Sequence, residues 1–128
     1  DRIGARPPFN LDPELFTVQA RVKKASDLQT IEDQIIATAN QFATTPVDAK
    51  KLENLKQHLR YDFALSLNNS ESICETVAEF AALRRTPETI NKLYEAYDKL
   101  TPADLQKAAQ KYLTDKNRTI VTLTGAAK

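Results

Sequence analysis

The chain has one histidine and one cysteine, and that scarcity limits its chemistry before any fold is considered. His58 stands in Gln57-His58-Leu59-Arg60, beside an apolar helical stripe. Without a second histidine, neither H-E-x-x-H nor H-x-x-E-H can be present, so no zinc-peptidase motif is carried here. Cys74 falls among Ile73, Val77 and Phe80. A catalytic thiol needs a base close by, and the one histidine is far along the chain, so Cys74 reads as a small buried hydrophobe. It has no partner for an internal disulfide, and no Cys/His cluster has the spacing of a structural zinc site.

The remaining candidates read as structure. Ser66, Ser70 and Ser72 look like helix or cap residues, and no G-x-S-x-G elbow surrounds them. The chain also lacks a G-x-x-x-x-G-K-[ST] loop and a G-x-G-x-x-G turn, which excludes phosphate cradles of those kinds. Glu71, Glu75 and Glu79 recur every fourth residue, the pattern of a solvated helix face whose carboxylates repel weakly. Lys50, Lys51, Lys56 and Arg60 form a modest basic stripe, balanced by Asp48, Glu53 and Asp62. Asn68-Asn69-Ser70 and Asn117-Arg118-Thr119 match the glycosylation sequon, a pattern too short to carry weight alone. No catalytic, cofactor-binding or metal-ligating residue is therefore assigned.

The elements that would position a site alternate between two periods. Residues 1–13 hold three of the six prolines, and Pro7-Pro8 predicts an irregular lead-in. Over 15–23, Phe16, Val18, Ala20 and Val22 alternate with Thr17, Gln19 and Arg21, which predicts a half-buried strand. From Ser26 the spacing becomes helical through Leu28, Ile31, Ile35, Ala39 and Phe42, with Ser26 and Gln29 placed for a capping box. Three openers of one kind follow. Thr45-Pro46-Val47-Asp48, Thr86-Pro87-Glu88 and Thr101-Pro102-Ala103-Asp104 each offer a threonine cap and a proline for the first turn. A further helix starts after Asn68-Asn69-Ser70. Residues 118–124 (RTIVTLT) predict a second strand, and 125–128 a tail. The order is strand, five helices, strand.

Composition sets the outer bounds. With 41% hydrophobic and 27% charged residues in 128, the chain has the profile of one globular domain. A net charge of +1 gives no electrostatic reason to bind nucleic acid or an anionic membrane. No apolar run approaches the ~20 residues that span a bilayer. The chain contains no methionine and opens on Asp1, which predicts a processed or truncated piece of a longer polypeptide.

Three stretches taken together resemble one family. They are Asp12-Pro13-Glu14-Leu15-Phe16-Thr17-Val18 leading to Ser26-Asp27-Leu28, then Thr45-Pro46-Val47-Asp48 leading through Lys50-Lys51-Leu52-Glu53-Asn54-Leu55-Lys56. The last and most telling runs from Leu100-Thr101-Pro102-Ala103-Asp104-Leu105 through Ala108-Ala109-Gln110-Lys111-Tyr112-Leu113 to Arg118-Thr119-Ile120-Val121-Thr122-Leu123. Their order over residues 12 to 124 is similar to the second half of a domain of the pitrilysin/insulinase-type zinc metallopeptidases. The resemblance implies an α+β fold: a mostly helical portion of a metallopeptidase-like domain, its sheet completed by other strands. It implies the non-catalytic half of an endopeptidase that encloses unfolded peptides in a chamber, with zinc in the parent's catalytic domain and none here. The partners it implies are the rest of the same domain and the catalytic domain, or a second copy in a dimer, together with peptide substrate. A catalytically inactive scaffold or protein-binding subunit of the same family is the alternative.

Two further expectations concern packing. Phe16, Val18, Ile31, Ile35, Leu55, Leu59, Phe63, Phe80, Leu93, Tyr97, Leu105 and Leu123 should share one core. The two strands, 15–23 and 118–124, should pair with a neighbouring polypeptide, because free edges invite another strand.

Overall fold

The computed structural model describes residues 2–6, 12, 14–84 and 86–125. Five α-helices dominate: α1 (Leu28–Thr44), α2 (Ala49–Ser66), α3 (Ser70–Arg84), α4 (Thr89–Lys99) and α5 (Pro102–Tyr112). Two strands, β1 (Arg2–Arg6) and β2 (Thr17–Arg21), pair antiparallel with Arg2 opposite Arg21 and Arg6 opposite Thr17. The chain is thus mostly helical with a small antiparallel sheet, an α+β architecture. Pro7, Pro8 and residues 126–128 lie outside the described residues.

The strands depart from the sequence pattern in three ways. Part of the expected lead-in, residues 2–6, is a strand: Ile3 and Ala5 pair with Ala20 and Val18 on one face, and Arg2 and Arg6 lie on the other. The strand expected over 15–23 is hydrogen-bonded only over Thr17–Arg21. Among the described residues, 118–124 join no ladder: a short 3-10 turn at Asp115–Asn117 ends in extended backbone at Arg118 (φ −107°, ψ 131°), and no strand is assigned after it. Their β-branched residues favour extended backbone, but a ladder needs a partner within reach as well as propensity.

The helices follow the sequence more closely, and their openings vary by chemistry. Thr101 and Asp104 close a reciprocal capping box: the Asp104 amide donates to Thr101 Oγ1 at 3.3 Å and the Thr101 amide to Asp104 Oδ2 at 3.0 Å. Pro102 then occupies the first helical position, where its missing N–H costs nothing. The opener Thr45-Pro46-Val47-Asp48 works differently. Asp48, not Thr45, caps α2, accepting from the Lys51 amide at 2.8 Å, and Pro46 stays outside the helix. Asn69 serves α3 in the same way, accepting from the Ser72 amide at 2.9 Å. Ser26 forms no capping box; it donates to Asp27 at 3.0 Å within a 3-10 turn that precedes α1. Thr86 bonds Glu88 locally, so α4 starts one turn later at Thr89.

The expected single core is replaced by two compact units. One contains Asp1–Thr45 and Gln106–Lys128, the other Pro46–Leu105. In the second unit, α2 and α4 run antiparallel along a polar and aromatic seam. Phe63 meets Tyr94 with ring centroids 4.9 Å apart, and Tyr94 meets Tyr97 edge-on at 5.8 Å. One end of the seam is closed by Lys56, whose Nζ donates to the Asp98 carbonyl at 2.9 Å, and by an Arg60–Asp98 ion pair. Both cations sit at the carbonyl end of α4, where the helix dipole favours positive charge. In the first unit, Gln106 and Gln110, one turn apart on α5, both donate to the Ala43 carbonyl near the end of α1.

Few apolar side chains are fully enclosed. Among the described residues the buried ones are Leu52, Phe80 and Ala109. Of the expected core, Ile31, Ile35, Phe63, Leu93, Tyr97 and Leu105 are half-buried, whereas Phe16, Val18, Leu55, Leu59 and Leu123 are exposed. The helical stripes read from the sequence exist, but large parts of them remain uncovered.

Candidate functional site

The chemically capable side chains are not gathered together. His58 is exposed on α2 with Nδ1 3.5 Å from Asp62 Oδ1, a pair one helical turn apart. Cys74 is exposed, which overturns its reading as a buried hydrophobe. Its neighbours Ile73 and Val77 lie on the open part of the α3 stripe, and only Phe80, further along, is enclosed. Glu71, Glu75 and Glu79 form an exposed row. No group of three or more His, Cys, Asp or Glu side chains lies together among the described residues.

The other residues singled out by sequence have local structural tasks. Ser66 Oγ donates back to the Phe63 carbonyl at 2.7 Å, and Asn69 caps α3. The sequon residue Asn117 donates from Nδ2 to the Lys111 carbonyl at 3.3 Å, a bond that closes the end of α5. The basic stripe divides. Lys50 and Lys51 are exposed, whereas Lys56, its side chain 12% exposed, and Arg60 hold α4. Sequence reading missed that pairing because Asp98 is 38 and 42 positions away, beyond any local spacing rule.

What the described surface offers instead is unpartnered strand and helix. Ile120, Val121 and Leu123 are 48%, 87% and 94% exposed on a segment that joins no ladder among the described residues. The sheet has two strands, so each strand keeps one free edge among the described residues, and Leu15, Phe16 and Val18 beside it are exposed. On α2, Leu55, Leu59 and Leu65 are open.

One concavity lies within the first unit. It is an open groove of about 290 Å³ between the β-ribbon and α1, lined by Arg2, Ile3, Ala20, Arg21, Val22, Ile31 and Gln34. Ile3, Ala20, Val22 and Ile31 make its lining largely apolar. No helix among the described residues is long and apolar enough to cross a membrane. Compared with known proteins, the chain matches no family model, no curated protein and no solved structure.

Proposed function

We propose that this chain is part of the non-catalytic half of a pitrilysin/insulinase-type zinc endopeptidase, and that its role is to complete the wall of a chamber enclosing unfolded peptides. The ordered resemblance of residues 12 to 124 to the second half of such a domain suggests the reading. The observation that carries it is the open state of strand-forming sequence: Ile120, Val121 and Leu123 stand exposed without a ladder. An exposed β-branched and apolar segment of that kind is stabilised when its amides and carbonyls pair with a sheet and its side chains leave water. In this reading the missing strands come from the rest of the same domain, the metallopeptidase-like sheet is completed there, and zinc is held by the parent's catalytic domain.

Hydrogen–deuterium exchange tests the reading. Residues 118–124 should exchange rapidly in the chain alone and slow markedly when it is joined to the remainder of its parent polypeptide. Equally fast exchange in both would defeat it. A parent or partner subunit carrying H-x-x-E-H makes the assembly an enzyme, and its absence from both makes the chain a scaffold.

A further inference from the structure

The β-ribbon has two unlike faces and an open outer edge. Register places Arg2, Gly4 and Arg6 of β1 on one face, opposite Arg21, Gln19 and Thr17 of β2. Ile3 and Ala5 share the other face with Ala20 and Val18, and Ile3 and Ala20 line the groove against α1. Arg2 and Arg21 are direct cross-strand partners, like charges that weaken the pair. None of the three arginines has an ion-pair partner among the described residues. On the apolar face Ile3 is 65% exposed. β1 pairs with β2 on one side, and its other edge is free among the described residues.

A third strand on that edge serves both faces at once, because its side chains alternate across the sheet. Carboxylates four residues apart then stand opposite Arg2 and Arg6, which are about 13 Å apart along β1. The residue midway between them lies over Gly4, where a Cβ would meet nothing within 4 Å. That opening has room for an aromatic ring, which shields a strand glycine. The two remaining residues fall on the opposite face, beside Ile3 and Ala5, and leave water there. The matching strand thus reads acid, apolar, aromatic, apolar, acid. The outer edge of β2 fits it less well, since its polar face offers Thr17, Gln19 and one arginine. Nor does a second copy supply the pattern. Acids four apart occur in this sequence only at Glu71, Glu75 and Glu79, inside α3, and the open segment 118–124 brings Arg118 and no acid.

We infer that the outer edge of β1 binds an extended segment of another polypeptide in which two acidic residues, four apart, alternate with apolar ones. Backbone pairing supplies the attachment and the alternate side chains the selection. The inference stands on the ribbon and does not depend on the peptidase reading.

The test is fluorescence anisotropy on the full chain with a fluorescein-labelled peptide, Ser-Glu-Val-Tyr-Val-Glu-Ser. It should bind saturably, and the same peptide with lysine for both glutamates about tenfold or more weaker. Arg2→Gln and Arg6→Gln should each reduce affinity about two- to fivefold, and the double substitution about tenfold. Each removes a cation from a face of like charges, so the ribbon is not weakened, and circular dichroism checks this. Arg21→Gln should change affinity less than about twofold, because β1 separates it from the added strand by about 10 Å in all. N-methylation distinguishes strand addition from simple charge attraction, since alternate amides of an edge strand face the sheet. Methylating both valine amides or both glutamate amides should abolish binding in one case and preserve it in the other. Equal loss or equal retention in the two methylated peptides overturns strand addition. Indifference to Arg2→Gln and Arg6→Gln, or no saturable binding up to about 1 mM, overturns the site. A peptide spanning residues 118–124 that competes with equal affinity would give the edge to a second copy and overturn the acidic partner.

Discussion

Gln110 Nε2 donates to the Ala43 carbonyl at 2.9 Å, across 67 positions of sequence. Ala43 belongs to the last turn of α1, where carbonyls have no intrahelical partner. Gln106, one turn earlier on α5, points a second amide at the same oxygen at 3.3 Å. Two side chains of α5 thus satisfy one orphan acceptor and fix the end of α1 within the first unit.

The shared acceptor makes the two glutamines partly redundant. Gln110→Ala should cost about 0.5 kcal/mol, because Gln106 keeps the carbonyl engaged. The double substitution should cost about 1–2 kcal/mol, more than the single effects added, since only then does the acceptor lose both protein partners. Urea denaturation of the four proteins measures this. Simple additivity would mean that the two bonds act independently.

Phe80 and Leu59 separate enclosure from exposure. Phe80, 7% exposed, should cost about 3–5 kcal/mol as Phe80→Ala. Leu59 is 40% exposed, and Leu59→Ala should cost about 1 kcal/mol or less in the chain alone. A Leu59→Ala cost as large as that of Phe80→Ala would mean that the α2 stripe is packed. In an assembly that covers α2, Leu59→Ala should weaken association more than it weakens the chain.

The helices were legible because their signals are local. The 3.6-residue stripes of α1, α2 and α4 and the Thr101–Asp104 box lie within a few residues of each other, and the structure keeps them. Exact starts shifted where two caps competed, as at Thr45 and Asp48, because the aspartate reaches the Lys51 amide. Strand pairing was not legible. Residues 2–6 supply the partner of β2 from a stretch read as irregular, while the richest β sequence, 118–124, joins no ladder among the described residues. Periodicity reports which face of a segment is apolar and not what covers it, so an exposed Val121 and an enclosed Phe80 look alike in sequence. The groove was invisible for the same reason: Ile3 and Ala20 in its lining meet only through strand register.

The seam between α2 and α4 should be only mildly sensitive to salt. Arg60 and Asp98 are 56% and 40% exposed, so Arg60→Ala should cost about 1 kcal/mol or less. Lys56, whose side chain is 12% exposed, also packs its stem and satisfies the Asp98 carbonyl. Lys56→Ala should therefore be the more damaging of the two, at about 1–2 kcal/mol. Chemical denaturation at low and high salt separates the effects: the Arg60 contribution should shrink with salt and the Lys56 contribution should persist. The reverse order would place the stabilisation in the ion pair.

Tyr94 gives the same seam a pH dependence. Burial, with a smaller contribution from neighbouring Tyr97, pushes its phenol above the ordinary tyrosine value of 10.0. Below that value the phenol is protonated in folded and unfolded chains alike, and its full contribution to stability is present. As pH rises past it, the unfolded chain releases the proton first, so the folded state binds more protons and stability falls with pH. The fall continues until the folded phenol also ionises. Tyr94→Phe keeps the ring against Phe63, 4.9 Å away, and removes the proton. Urea midpoints followed from about pH 9 to about pH 11 should therefore drop more steeply in the unsubstituted chain than in Tyr94→Phe. Parallel curves for the two proteins would show that Tyr94 ionises alike whether or not it is packed between α2 and α4.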